Sequence, residues 1–186
     1  MLYQSEDHFI HDRSWKNEII EDLQVVATTS DFPCISAQKD ILTSNFFYSF
    51  CCKEQFKNYY QFASSLFLYI NSIQDDLGRI KSQQPLIIFF DKNLNRFFKN
   101  NPNQLIWEAL SYAHDLDSTI HTMNKTAEYS SHNAYKHLYF GGIELCLNIV
   151  ESSVKYSRGV FDKNLMLIIH PKKNNDARII KMKAAS

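Results

Sequence analysis

The chain has 186 residues, of which 45% are hydrophobic and 22% are charged, and its formal net charge is zero. This length suits a single domain, and the apolar content excludes an intrinsically disordered chain. The neutral balance disfavours a nucleic-acid-binding protein, because such proteins usually carry a basic excess.

The first third of the sequence predicts a helix and then a strand. Ser14 can cap a helix over about 15–28, in which four apolar residues recur at helical spacing. The segment 30–34 contains Pro33 and ends this helix. The aromatic segment 46–52 favours a strand. The four apolar residues of the helix are Trp15, Ile19, Leu23 and Val26.

The central third predicts two more helices around a buried strand. Apolar residues recur every three or four positions from Phe56 to Ile80, which indicates a helix of six or seven turns that ends near Gly78 or Lys81. The continuous apolar run at 86–91 is typical of a buried strand. A polar loop at 92–103 then leads into a helix over about 103–117.

The last third predicts strands. Residues 118–134 lack periodicity and are expected to form a loop. The segment 137–150 contains adjacent glycines at 141 and 142 and predicts a hairpin, and 164–171 predicts a further strand. The tail at 176–186 is weakly helical. The order of elements therefore predicts a single α+β domain over 1–186, with a largely antiparallel sheet flanked by helices.

Several features bear on compartment and partners. No run of 18 apolar residues is present, so we expect no membrane-spanning helix. The acidic N-terminal segment lacks the apolar stretch of a secretory signal, and the four cysteines show no CxxC spacing, so we expect a reducing cytoplasm. The acidic segment 1–31 and the basic segment 151–186 are interpreted as solvated faces.

The sequence contains no phosphate-binding loop, dinucleotide-binding motif, serine-hydrolase elbow or HExxH motif. Among seven histidines, His114 is the one that the helical pattern singles out. It shares one side of its helix with Leu110 and Asp117 and lies at the edge of the apolar face. It can therefore be a hydrogen-bonded surface histidine or a metal ligand whose ring a neighbouring acceptor fixes.

Two further residues stand out. Cys34 follows Pro33 at the transition from the first predicted helix to the first predicted strand, and as a buried thiol it is usually inert. Arg158 is one of only five arginines, and its planar guanidinium suits a carboxylate, although the SRG segment at 157–159 also reads as an ordinary turn.

Several short patterns occur in an order that resembles the YqcI/YcgG family over about residues 20–180. They are DFPCISA (31–37), NFFYSF (45–50), PLIIFFD (85–91), LIWEALSYAHDLD (105–117), YFGGIELCL (139–147), YSRGVF (156–161) and MLIIHP (166–171). The chain departs from the family pattern at 118–123, at 142–144 and at the C-terminus, where relatives continue further. We therefore expect a divergent member of this family.

The resemblance implies a haem-dependent N-hydroxylase that acts on the guanidino or amino group of an arginine-like molecule. It implies haem b, with His114 as the iron ligand and Cys34 as the alternative ligand or a pocket wall. Arg158 would pair with a haem propionate or a substrate carboxylate. Asp117 would orient the His114 ring or hold a cationic guanidinium.

We expect one of three alternative functions. The first is an N-oxygenase that takes a small amino-acid-like substrate and an external electron donor, with no nucleic acid or membrane partner. The second is a non-catalytic module that binds haem or a small ligand. The third is an interaction protein that uses its oppositely charged ends.

Overall fold

The computed structural model describes residues 1–5, 14–30, 32, 34–52, 58–91, 94, 102–117, 137–150 and 165–172. Within these ranges the helices are α1 (Ser14–Ala27), α2 (Ile35–Leu42), α3 (Asn58–Ile73) and α4 (Pro102–Leu116). The strands are β1 (Tyr3–Gln4), β2 (Phe47–Cys51), β3 (Leu86–Phe90), β4 (His137–Phe140), β5 (Ile143–Val150) and β6 (Leu165–Pro171).

The six strands form one sheet in the order β1-β2-β3-β6-β5-β4. The β2–β3 pair is parallel, because α3 carries the chain from the end of one strand to the start of the other, and the remaining pairs are antiparallel. The predicted α+β class with a largely antiparallel sheet is confirmed.

The helices cover the two faces of this sheet. One face, which we call the α3–α4 face, packs against α3 and α4. The opposite face, the α1–α2 face, packs against α1 and α2. Side chains alternate between the faces along each strand, so β5 sends Leu145 and Leu147 to the α3–α4 face and Val150 to the other.

The structure corrects one of the predicted helices. The helix predicted from Phe56 to about Gly78 or Lys81 is wrong at its C-terminal end, because α3 ends at Ile73. The carboxylate of Asp75 accepts hydrogen bonds from the backbone N–H groups of Leu77 (3.0 Å) and Arg79 (2.8 Å), and this turn replaces the helical geometry. Leu77 is consequently exposed rather than part of the core.

Helix α2 was not predicted. Only Ala37 and Ile41 are buried along its eight residues, while Ile35 is 81% exposed. Two apolar contacts one turn apart give too short a pattern to separate a helix from a loop. The structure confirms the predicted helices at 15–28 and 103–117, the strands at 46–52, 86–91 and 164–171, and the hairpin at 137–150, each with boundaries within one residue.

The loop predicted at 118–134 and the weak helix predicted at 176–186 lie outside the described residues, as does most of the charged sequence at the two ends.

Candidate functional site

A cleft of about 560 Å³ lies between α2 and the ends of β5 and β6, and we call it the α2–β6 cleft. Cys146 and His170 are directly opposite each other in the β5–β6 register, so their side chains leave the sheet on the same face and reach the cleft together. The residues that line the cleft are Ser36, Lys39, Asp40, Gln83, Pro85, Cys146, His170, Pro171 and Lys172.

A line of hydrogen bonds crosses from β5 through α2 to β6. The side-chain amide of Asn148 donates to Sγ of Cys34 at 3.4 Å. That sulfur lies 3.3 Å from Oγ of Ser36, and Ser36 Oγ lies 3.0 Å from Nε2 of His170. Cys34 is 3% exposed, whereas the Ser36 side chain is exposed to the cleft, so the line runs from the protein interior to solvent.

The protein environment keeps His170 neutral near pH 7. Partial burial lowers the pKa of His170 below its usual 6.5, and this effect exceeds the raising effects of the Pro171 carbonyl and the Asp40 carboxylate. Burial likewise raises the pKa of the Cys146 thiol, with a further contribution from the charge of Glu144, so Cys146 is a neutral thiol.

The cleft carries charges of both signs. Lys39 and Asp40 are adjacent on α2. On the opposite side, Nζ of Lys172 donates to Oε1 of Glu144 at 2.7 Å, and this bond raises the pKa of Lys172. A molecule in the cleft therefore meets a carboxylate, ammonium groups and a neutral imidazole within one small volume.

His114, predicted as a metal ligand, lies near the end of α4. Its side chain is 26% exposed, and Nδ1 lies 3.8 Å from Oδ1 of Asp115. Helix α4 packs on the α3–α4 face, whereas the cleft residues Cys146 and His170 belong to the α1–α2 face. The structure therefore places His114 and the cleft on opposite faces of the sheet.

Asp117 is 2% exposed, and Oδ2 of its carboxylate accepts a hydrogen bond of 2.7 Å from the backbone N–H of Gly141. This contact ties the end of α4 to the β4–β5 turn. The roles suggested for Asp117 toward the His114 ring or toward a guanidinium remain predictions.

Of the predicted site residues, Cys34 is the one that the structure brings to the cleft, through Ser36. Cys34 and His114 lie on opposite faces of the sheet, so they do not form one ligand set. Arg158 lies outside the described residues.

Sequence reasoning did not single out Ser36, Asp40, Cys146 or His170 as site residues. One signal was present in β5, where Glu144, Cys146 and Asn148 alternate with buried aliphatic residues and therefore share one face. Ser36 could not be found in this way, because its position depends on the unpredicted helix α2.

A haem site has two requirements. The iron takes a histidine or a cysteine ligand, and the macrocycle needs apolar walls. The cleft offers such donors, but none of the described residues that line it is a large aliphatic residue, phenylalanine, tyrosine or tryptophan, so it lacks the apolar walls that the macrocycle needs. His114 meets the first requirement as a partly exposed histidine, and Leu110 and Trp107, one and two turns before it on α4, pack against the apolar core.

Across the described part of the chain, no group of three or more His, Cys, Asp and Glu side chains is placed to hold a metal ion by itself. All four cysteines are free thiols. None of the described helices is both long and apolar enough to cross a membrane.

Comparison with known protein families identifies the family of this chain. Residues 21–181 match the YqcI/YcgG family, and because this match spans most of the sequence, the chain belongs to that family. The ordered patterns from DFPCISA to MLIIHP lie within the matched range. Searches of curated proteins and of solved structures found no match.

Proposed function

We propose that the protein binds a small arginine-like zwitterion in the α2–β6 cleft. The observation that carries this proposal is the combination of Lys39, Asp40 and the Lys172–Glu144 ion pair around one cleft of about 560 Å³. That volume lies within the range of about 300–1,000 Å³ that is usual for small-molecule sites.

The charges of such a ligand complement those of the cleft. A guanidinium presents planar N–H donors that suit the carboxylate of Asp40. A ligand carboxylate suits the ammonium group of Lys39, which stands beside Asp40 on α2. The Ser36 hydroxyl, which is exposed to the cleft beside His170, offers a further hydrogen-bonding group.

Calorimetric titration with L-arginine tests this proposal. We expect wild-type protein to bind arginine and Asp40→Asn to bind at least about tenfold more weakly, since a tenfold change corresponds to about 1.4 kcal/mol and loss of one charge-assisted pair is of that size. Asp76→Asn is the matched control, because Asp76 is exposed and does not line the cleft. Equal affinities for wild type and Asp40→Asn would contradict the proposal.

As an alternative, on the family resemblance, we propose that the protein is a haem-dependent N-hydroxylase whose haem b is held by His114 and whose arginine-like substrate binds at that haem rather than in the cleft. The partly exposed imidazole of His114, one and two turns after Leu110 and Trp107 on α4, supports this choice of ligand. Bound haem would supply the oxygen activation that N-hydroxylation requires, with an external electron donor. In this proposal, the His114 imidazole would hold the iron.

An absorption spectrum with iron quantification tests the haem proposal. Protein from haem-supplemented cells should show a Soret band that His114→Ala shifts or removes and that the control His170→Ala retains. A folded wild-type protein that takes up no haem would contradict it, as would an unchanged spectrum for His114→Ala.

An experiment can distinguish arginine binding in the cleft from haem chemistry at His114, because His114 and the cleft lie on opposite faces of the sheet. Arginine held in the cleft would not contact haem at His114, so arginine should leave the Soret band unchanged. A shifted band on arginine binding, with formation of an N-hydroxylated product, would place ligand and iron in one pocket and would contradict the cleft as the substrate site.

A further inference from the structure

We propose that Ser36 is a nucleophile activated by His170, and that the α2–β6 cleft hydrolyses small carboxylic esters. The central observation is the distance of 3.0 Å between Ser36 Oγ and His170 Nε2 in an open cleft. A hydroxyl within hydrogen-bond reach of an imidazole, with that imidazole held by a third group, is the geometry of nucleophilic catalysis. The proposal concerns a second activity of the cleft and does not rest on arginine binding.

One order of donors and acceptors satisfies the whole line, and it is the order that the proposal requires. The Asn148 amide donates to Cys34 Sγ, so the thiol proton of Cys34 is available to Ser36 Oγ. Ser36 then donates its own proton to His170 Nε2. Every donor in this order meets an acceptor, and the nitrogen that faces Ser36 carries a lone pair.

The Pro171 backbone favours this tautomer of His170. It acts on the ring to raise its pKa, an effect that burial exceeds, and since proline has no N–H, its carbonyl can only accept from the ring. Because Nε2 faces Ser36, we assign the donated proton to Nδ1. The imidazole is thus oriented as a general base for the hydroxyl.

The surroundings also favour the charges that develop during the reaction. The Asp40 carboxylate acts electrostatically on His170 and favours its protonated form. Ser36 is the second residue of α2, so an oxyanion formed on a substrate carbonyl would lie at the positive end of the helix dipole. Ser36 and His170 are therefore the catalytic residues of this proposal.

The reaction balances without a redox step. Ser36 Oγ bonds to the carbonyl carbon as its proton moves to His170 Nε2. The bond between the carbonyl carbon and the alcohol oxygen then breaks, and the alcohol leaves with that proton. Water, deprotonated by the same imidazole, cleaves the acyl-serine, and the net reaction converts ester and water into acid and alcohol.

An alkyl phosphonofluoridate probe tests the nucleophile, because its phosphorus bonds to an activated serine oxygen and fluoride leaves. Intact mass and peptide mapping should place the adduct on Ser36. Ser36→Ala should lose it, and His170→Gln should react about 100-fold more slowly, in line with the usual contribution of a general base. Ser72→Ala is the matched control, since Ser72 lies on α3 and its hydroxyl donates to the Leu68 carbonyl.

Circular dichroism verifies that each variant is folded, and turnover of p-nitrophenyl butyrate should follow the same order as the labelling. Absence of a Ser36 adduct in folded wild-type protein would overturn the inference, as would equal labelling rates for wild type and His170→Gln. Absence of wild-type turnover that depends on Ser36 would overturn the hydrolytic activity.

Arginine calorimetry on the same samples separates the two proposals for the cleft. Arginine binding without Ser36 labelling overturns this inference alone. Ser36 labelling without arginine binding overturns the binding proposal alone.

Discussion

At the scale of single residues, Asp117, which was predicted as a site residue, also stabilises the fold. Its carboxylate is almost fully buried and accepts the Gly141 N–H at 2.7 Å. A buried hydrogen-bond acceptor contributes most to the free energy of unfolding when its removal leaves the backbone donor without a partner.

Asp117→Ala should therefore lower the free energy of unfolding by about 1–3 kcal/mol. Asp115→Ala is the control, because the Asp115 side chain is 82% exposed and its removal should change stability little. Urea denaturation measures both. Equal stability of Asp117→Ala and Asp115→Ala would show that the contact to Gly141 is not important for the fold.

At the scale of elements, the β4–β5 turn is fixed by both helices of the α3–α4 face. Gly141 and Gly142 have φ of +56° and +79°, as a tight hairpin turn requires. Asp117 accepts the Gly141 N–H, and the Gln74 side chain donates to the Gly141 carbonyl at 3.0 Å. The turn therefore packs closely on the ends of α3 and α4.

Gly141→Ala should destabilise the protein more than Gly142→Ala. Both substitutions force alanine into a positive φ at a cost of about 1–2 kcal/mol. At Gly141, the new Cβ would also lie 2.7 Å from Cγ2 of Ile70, whereas at Gly142 it would meet nothing within 4 Å. This overlap should add about 1–3 kcal/mol, measurable as a lower urea midpoint. Equal urea midpoints for Gly141→Ala and Gly142→Ala would show that the turn does not pack closely against α3.

The elements with long or strictly periodic patterns were predictable from sequence. The apolar run of β3 and the glycine pair of the hairpin carried enough local signal to give their type and position. Helix α2 was not predictable, because its place depends on contacts of Ala37 and Ile41 with distant parts of the chain. The candidate cleft was missed for the same reason, since Ser36 and His170 are 134 residues apart and meet only in the folded protein.

At the scale of the whole molecule, one sheet supports two helical layers. Its central strands bury side chains on both faces, such as Ile88 toward α3 and α4 and Ile87 toward α1 and α2. Because each layer depends on the same strands, the two layers should unfold together.

The two tryptophans allow this cooperativity to be measured, since Trp15 is on α1 and Trp107 is on α4. Trp15→Phe and Trp107→Phe each leave one fluorescent reporter, and both should show the same urea midpoint once the stability change of each variant is subtracted. Leu23→Ala on α1 or Leu66→Ala on α3 should cost about 2–5 kcal/mol and move both reporters together. If one tryptophan kept its urea midpoint while the midpoint of the other shifted, the two helical layers would unfold independently.

The central claim is that the α2–β6 cleft binds an arginine-like molecule, and a crystal structure of the protein with L-arginine tests it most directly. We predict electron density in the cleft, with the guanidinium beside Asp40 and the ligand carboxylate beside Lys39. Arginine bound elsewhere, for example beside His114 with the cleft empty, would contradict the claim and would favour a substrate site on the α3–α4 face.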